Sequence, residues 1–178
     1  DIIIMRLILI IGGLVVLVAL GFFVISSSKP NNEATIKAAP TPPAQELERK
    51  NVDIKASFAI FTNGTFRIFT ASMYHNLSDD VFIEASNPNL VRIKKNGITW
   101  DDFFKTLPMK LTKDCLTTGT SQTFCTKGDQ TLKFYLNNQL DPNALDRTIN
   151  AGDQLLVSYG SENDKQIEKQ LEQVPKGL

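Results

Sequence analysis

Histidine is almost absent from this 178-residue chain: His75, in the stretch SMYHNLSDD, is the only one. A zinc or copper site of ordinary composition would therefore need His75, the cysteines and carboxylates to converge. Cysteine is scarce as well, with Cys115 and Cys125 the only two. The nine residues between them are not the short C-x-x-C spacing of zinc sites and thioredoxin-like redox pairs. No Gly-rich phosphate loop, nucleophile elbow or Ser-His-Asp order is available. Asp101 and Asp102 remain as a carboxylate pair, and acids in the first turn of a helix have a sufficient structural reason there. Net charge is missing too, because 19 Lys and Arg offset 19 Asp and Glu, and no basic stripe with interleaved aromatics appears. These absences argue against an enzyme, a bound cofactor or metal, a small-molecule substrate and a nucleic-acid partner.

What is present is unevenly distributed. From Leu7 to Ile25 the chain reads LILIIGGLVVLVALGFFVI, with Ile2, Ile3 and Ile4 extending the run. At 1.5 Å per residue this stretch spans roughly 30 Å, the hydrocarbon thickness of a bilayer. A cleaved secretory signal would have a shorter apolar region and a small-x-small cleavage site, and Ser26-Ser27-Ser28 supplies no Ala-x-Ala pattern. The expectation is a single transmembrane anchor over residues 1–28. Arg6 and Lys29, the basic residues flanking the span, barely discriminate its direction.

Residues 29–50 read as a Pro/Ala-rich linker. Pro30, Pro40, Pro42 and Pro43 stand among Ala, Thr, Asn and Lys, a composition unable to bury enough apolar surface to fold. Its role would be reach, at roughly 3 Å per residue of extended chain.

Residues 51–160 carry short alternating runs. KASFAIF (Lys55 to Phe61) and TFRIF (Thr65 to Phe69) flank Asn63-Gly64, a strong hairpin signal because both residues tolerate positive φ. VFIE and LVRIK form a second strand pair around Asn87-Pro88-Asn89. Alternation sends Val81, Ile83, Val91 and Ile93 to one face and Phe82, Glu84, Arg92 and Lys94 to the other. ITWDDFFKTLP predicts a helix with Thr99 as N-cap and Pro108 as terminator, packing Phe103, Phe104 and Leu107 on the sheet. TLKFYL and QLLVSY complete the strands, the last entered through Ala151-Gly152-Asp153. This order predicts an α+β domain of β-grasp type, a mixed sheet over one helix. Residues 161–178 form a polar tail with Ile167, Leu171 and Val174 at i, i+4 and i+7, expected as a short amphipathic helix docked on its own domain.

Two sequons, Asn63-Gly64-Thr65 and Asn76-Leu77-Ser78, permit N-glycosylation, although the hairpin turn already explains Asn63. Cys115 and Cys125 flank Thr120 symmetrically, a placement that a bridge across a hairpin or loop can span. An anchor that puts the domain outside the cytoplasm selects a disulfide over two free thiols.

The blocks GITWDDFFKTLPMKLTKDCLTTGTSQTFC, TLKFYLNN, LDRTI and LLVSYG resemble a poorly characterised family of small membrane-anchored, exported prokaryotic proteins of archaea and small-genome bacteria. The resemblance covers roughly residues 53–160. It implies an N-terminal anchor, an exported β-grasp-like domain, a helix of the form T-L-x-x-F-F, a two-cysteine segment and a last strand ending I-x-Y-G. These relatives are usually histidine-rich, with H-x-H patterns that fall here on Asp53 and Lys55, Phe82 and Glu84, and Arg92 and Lys94. None of the six is histidine, so the family's metal or proton chemistry is not carried over. Opposite charges paired across strands are expected in its place.

The combined expectation is a non-enzymatic, single-pass, extracytoplasmic structural or interaction subunit. Its partners would be the lipid bilayer and either other membrane or envelope proteins or further copies of itself. Gly12, Gly13 and Gly21 would allow close helix packing in the bilayer. One alternative is a pilin-like filament subunit with the apolar helix in the filament core, favoured by a processed start at Asp1 and disfavoured by Met5 where an acidic residue is usual. The other is an exported ligand- or metal-binding domain.

Overall fold

The apolar run FAIF inside the first strand has no polar face, and the reason is that both of its faces are covered. The computed structural model describes residues 51–176, and β1 (Asn51–Thr62) is buried throughout from Ala56 to Thr62. Ala56, Phe58 and Ile60 point into one apolar cluster, and Ala59 and Phe61 into another across the sheet. Strand residues alternate faces, so a continuous apolar run is what a doubly covered strand requires.

Asn63 and Gly64 turn the chain, both with positive φ (51° and 72°), into β2 (Thr65–Arg67). The strand is shorter than the expected Thr65 to Phe69, because Phe69 leaves the ladder and stacks its ring 5.0 Å from Phe58 in the core. β3 (Val81–Ile83) and β4 (Leu90–Lys95) form the second antiparallel pair. β4 also pairs with the N-terminal half of β1, antiparallel, with an irregularity between Asn51 and Ile54. That pairing extends β1 back to Asn51, beyond the expected start at Lys55.

The helix α1 (Trp100–Thr106) begins at a complete capping box: the Thr99 hydroxyl accepts from the Asp102 N–H, and the Asp102 carboxylate accepts from the Thr99 N–H. Trp100, Phe103 and Phe104 are buried against the sheet. Replacing Thr99 with alanine is expected to lower stability by about 1 kcal/mol, read from urea titrations. An unchanged midpoint would show that packing alone sets this helix start.

After α1 the chain forms a small antiparallel sheet of β5 (Lys110–Leu111), β6 (Cys115–Thr117) and β7 (Thr123–Cys125). It then returns to the main sheet as β8 (Thr131–Leu136) and β9 (Gln139–Leu140), and closes with β10 (Gln154–Gly160). The main sheet has the order β3-β4-β1-β10-β8-β9, with β2 also on β1. β1 and β10 are its parallel pair, and the other pairings are antiparallel. The domain is mixed α+β.

The final helix, α2 (Asp164–Leu171), starts at a second capping box built by Asn163 and Gln166. Ile167 and Val174 are buried with Ala59, Phe61 and Leu156, so α2 covers the sheet face opposite α1. The expected anchor over residues 1–28 and linker over 29–50 lie outside the described residues. Among the described residues, no helix is long and apolar enough to cross a membrane.

Candidate functional site

Asp53 and Lys55 of β1, Phe82 of β3, and Arg92 and Lys94 of β4 lie on the sheet face that α2 also occupies. Lys55 stands directly opposite Arg92 on the β1–β4 ladder, and Phe82 stands opposite Arg92 on the β3–β4 ladder. Arg92 is the hub: its Nε and Nη2 each lie 2.8 Å from an Asp53 carboxylate oxygen, and its Nη1 pairs with Glu84. Lys94 Nζ reaches Asp53 at 2.8 Å. The fork of the guanidinium matches the two Asp53 oxygens, the geometry that makes Arg–carboxylate pairs specific. Lys55 joins none of these pairs.

The bonds from Arg92 and then Lys94 hold the Asp53 carboxyl well below the usual carboxylate range, and Asp53, then Glu84, raise Arg92 further above its ordinary value. A depressed folded-state pKa stabilises the native state fully above the ordinary Asp value near pH 4, and that contribution is lost as pH falls toward the depressed value. Asp53→Asn should therefore melt lower than wild type at pH 7, with the gap closing as the buffer is taken below about pH 4. A gap that is constant with pH would remove the pairing as its cause.

His75, Asp101 and Asp102 each have a partner within the domain. His75 Nε2 donates to the Phe69 carbonyl at 2.8 Å, since a carbonyl can only accept. Asp102 belongs to the capping box, and Asp101 pairs with Lys105 one turn on. Among the described residues, no three His, Cys, Asp or Glu side chains group to hold a metal ion. Asn63 and Asn76 are both exposed, each with φ of 51°.

Cys115 and Cys125 face each other directly in the β6–β7 register and are joined as a disulfide, with Cα atoms 4.1 Å apart. The bridge closes the hairpin whose tip is Thr118 to Gln122. That tip forms one wall of a cleft of about 350 Å³, and Phe66, Arg67, Phe69 and Tyr74 form the other. Arg67 lies over the Phe124 ring, 5.4 Å from its centroid, and so ties β2 to the hairpin. Compared with protein-family models, curated proteins and solved structures, the chain matches none.

Large apolar side chains stand at the mouth of this cleft. Ile68 is 61% exposed, and Met73 is 43% exposed with its methyl reaching toward Gly119. β2 pairs with β1 alone, so its outer edge has no strand partner among the described residues. An unpaired strand edge beside exposed apolar residues is suited to receive an extended segment of another protein. The alternation TFRIF carries part of this signal, because a buried Phe69 follows an exposed Ile68.

Proposed function

We propose that the chain is a non-enzymatic, membrane-anchored interaction subunit whose extracytoplasmic domain grips an extended apolar segment of another membrane or envelope protein. The observation that carries this is the edge of β2, without a strand partner among the described residues, running beside Ile68, Met73 and the tip of the disulfide-closed hairpin. The anchor rests on the uncharged run Leu7 to Ile25, and the extracytoplasmic location on that run together with the disulfide.

The fold in this reading is a β-grasp. It is supported by the parallel β1–β10 pair at the sheet's centre, the order β4-β1-β10-β8-β9 and α1 lying across one face. The chain would then be a relative of the histidine-rich exported proteins in which Asp53, Glu84, Arg92 and Lys94 hold the sheet face by charge pairing.

Co-purification of the full chain from native membranes tests the reading. One stoichiometric partner should be retained by wild type and by Leu140→Asp, which alters an exposed leucine on β9, and lost by Ile68→Asp. Equal retention by Ile68→Asp would refute the β2 edge as the contact.

A further inference from the structure

The sequence holds two Asn-Gly pairs, Asn63-Gly64 and Asn96-Gly97, and each forms a turn. Asparagine is a chemically labile residue, and a following glycine exposes it most, because the glycine nitrogen that attacks the side-chain amide has no side chain beside it. The fold treats the two pairs differently.

Space does not separate them. All four residues are exposed, both glycines have positive φ (72° and 81°), and a Cβ at either would meet nothing within 4 Å. The partners of the two glycine nitrogens do separate them. The Gly64 N–H donates to Glu162 Oε1 at 2.9 Å, and the Asn63 N–H donates to the Tyr159 carbonyl at 2.6 Å. That turn is also clamped between Thr62 and Thr65, which pair across the β1–β2 ladder. Attack by the Gly64 nitrogen must first break a bond to a carboxylate, which is stronger than a bond between neutral groups. The Gly97 N–H instead donates to Asn96 Oδ1 at 3.0 Å, so the side-chain amide is folded onto the nitrogen that attacks it. Its Cγ lies one C=O bond from that oxygen, and reacting groups held together in this way have already lost the freedom that an encounter costs.

We propose that Asn96 is a site of spontaneous covalent modification, converting through a succinimide to aspartate and isoaspartate, while the fold protects Asn63. The Gly97 nitrogen gives its proton to hydroxide and bonds to Asn96 Cγ. The Cγ–Nδ2 bond breaks, and the side-chain nitrogen takes a proton from water and leaves as ammonia. Water then opens the ring at one of its two carbonyls, giving aspartate from one and isoaspartate from the other. The net change consumes one water and releases one ammonia, with no redox partner. The turn leads into Ile98, which is buried, and Thr99, the N-cap of α1. Isoaspartate carries the main chain through the side-chain methylene, so it lengthens the backbone at the entry to that helix.

The site is separate from the β2 edge, and its test does not depend on that contact. The full chain, made in a host that attaches no N-glycans, is incubated at mildly alkaline pH, folded in one sample and unfolded in urea in another. Peptide mapping by mass spectrometry reads the mass gained as each amide becomes an acid. In the folded chain Asn96 should convert at least about tenfold faster than Asn63, and in urea the two should convert at similar rates. Glu162→Ala, which frees the Gly64 N–H, should raise the Asn63 rate in the folded chain and leave that of Asn96 unchanged. Asn63 converting as fast as Asn96 in the folded wild type would overturn the proposal. So would a folded Asn96 that keeps its amide while the unfolded chain converts, or an Asn63 rate unmoved by Glu162→Ala.

Discussion

Phe58→Ala is expected to destabilise the domain by about 3 to 5 kcal/mol, the cost of deleting a fully buried phenyl ring and leaving a cavity. Phe58 sits at 0% exposure in the middle of β1, with the rings of Phe69, Phe103 and Phe104 at 5.0, 5.3 and 5.9 Å. One side chain thus joins the central strand, the segment after β2 and helix α1, so collapse into the cavity would have to move three elements together. Domains of this kind are stable by only about 5 to 15 kcal/mol, so the variant would lose a large share of its total. Phe58→Leu, nearer in volume, should cost less than about 1.5 kcal/mol. Urea unfolding followed by fluorescence reads both, because Trp100 is the chain's single tryptophan and is fully buried beside this cluster. A Phe58→Ala midpoint close to that of wild type would mean that the aromatic cluster is not the centre of the core.

The second large effect concerns the bridge. Opening Cys115–Cys125, by reduction or by the double change Cys115→Ser and Cys125→Ser, should lower stability by about 2 to 3 kcal/mol, the loop-closure entropy of a short ring in the chain-entropy model. The sequence separation of 10 sets that size, and the bridge acts mainly on the unfolded chain. Reductant should lower the melting midpoint of wild type and leave the double serine variant unmoved. The hairpin tip should lose order first, since the bridge holds the tip's stem across β6 and β7. If reductant shifted both proteins alike, the change would come from somewhere other than this disulfide.

Much of the architecture was legible because single residues carried it. Asn63-Gly64 marked the β1–β2 turn, Thr99 and Pro108 framed α1, and alternation along VFIE and LVRIK assigned the faces of β3 and β4. Sequence reasoning fell short where the cause is tertiary. The burial of β1 on both faces depends on α2 folding back from about 100 residues away, and while the stripe Ile167, Leu171 and Val174 announced a docking helix, it did not say which face of the sheet the helix covers. The exposure of Ile68 was likewise hidden, because in TFRIF an apolar residue on either side reads as strand.

The pairing of Asp53 with Arg92 and Lys94, and of Glu84 with Arg92, shows what alternation can and cannot supply. Periodicity assigned these residues to one face, and the backbone register then decided the partners. Lys55, directly opposite Arg92 in the ladder, joins none of these pairs, whereas Lys94, two residues along β4, reaches Asp53.

The central claim is that the β2 edge receives a protein partner outside the cytoplasm. Photocrosslinking in intact cells tests it most directly, with a benzophenone side chain placed at Ile68, at Met73 and, as control, at the exposed Asp129. A discrete adduct of one size from Ile68 and Met73, absent from Asp129, is the predicted result. No adduct from either cleft position, or the same adduct from Asp129, would contradict it.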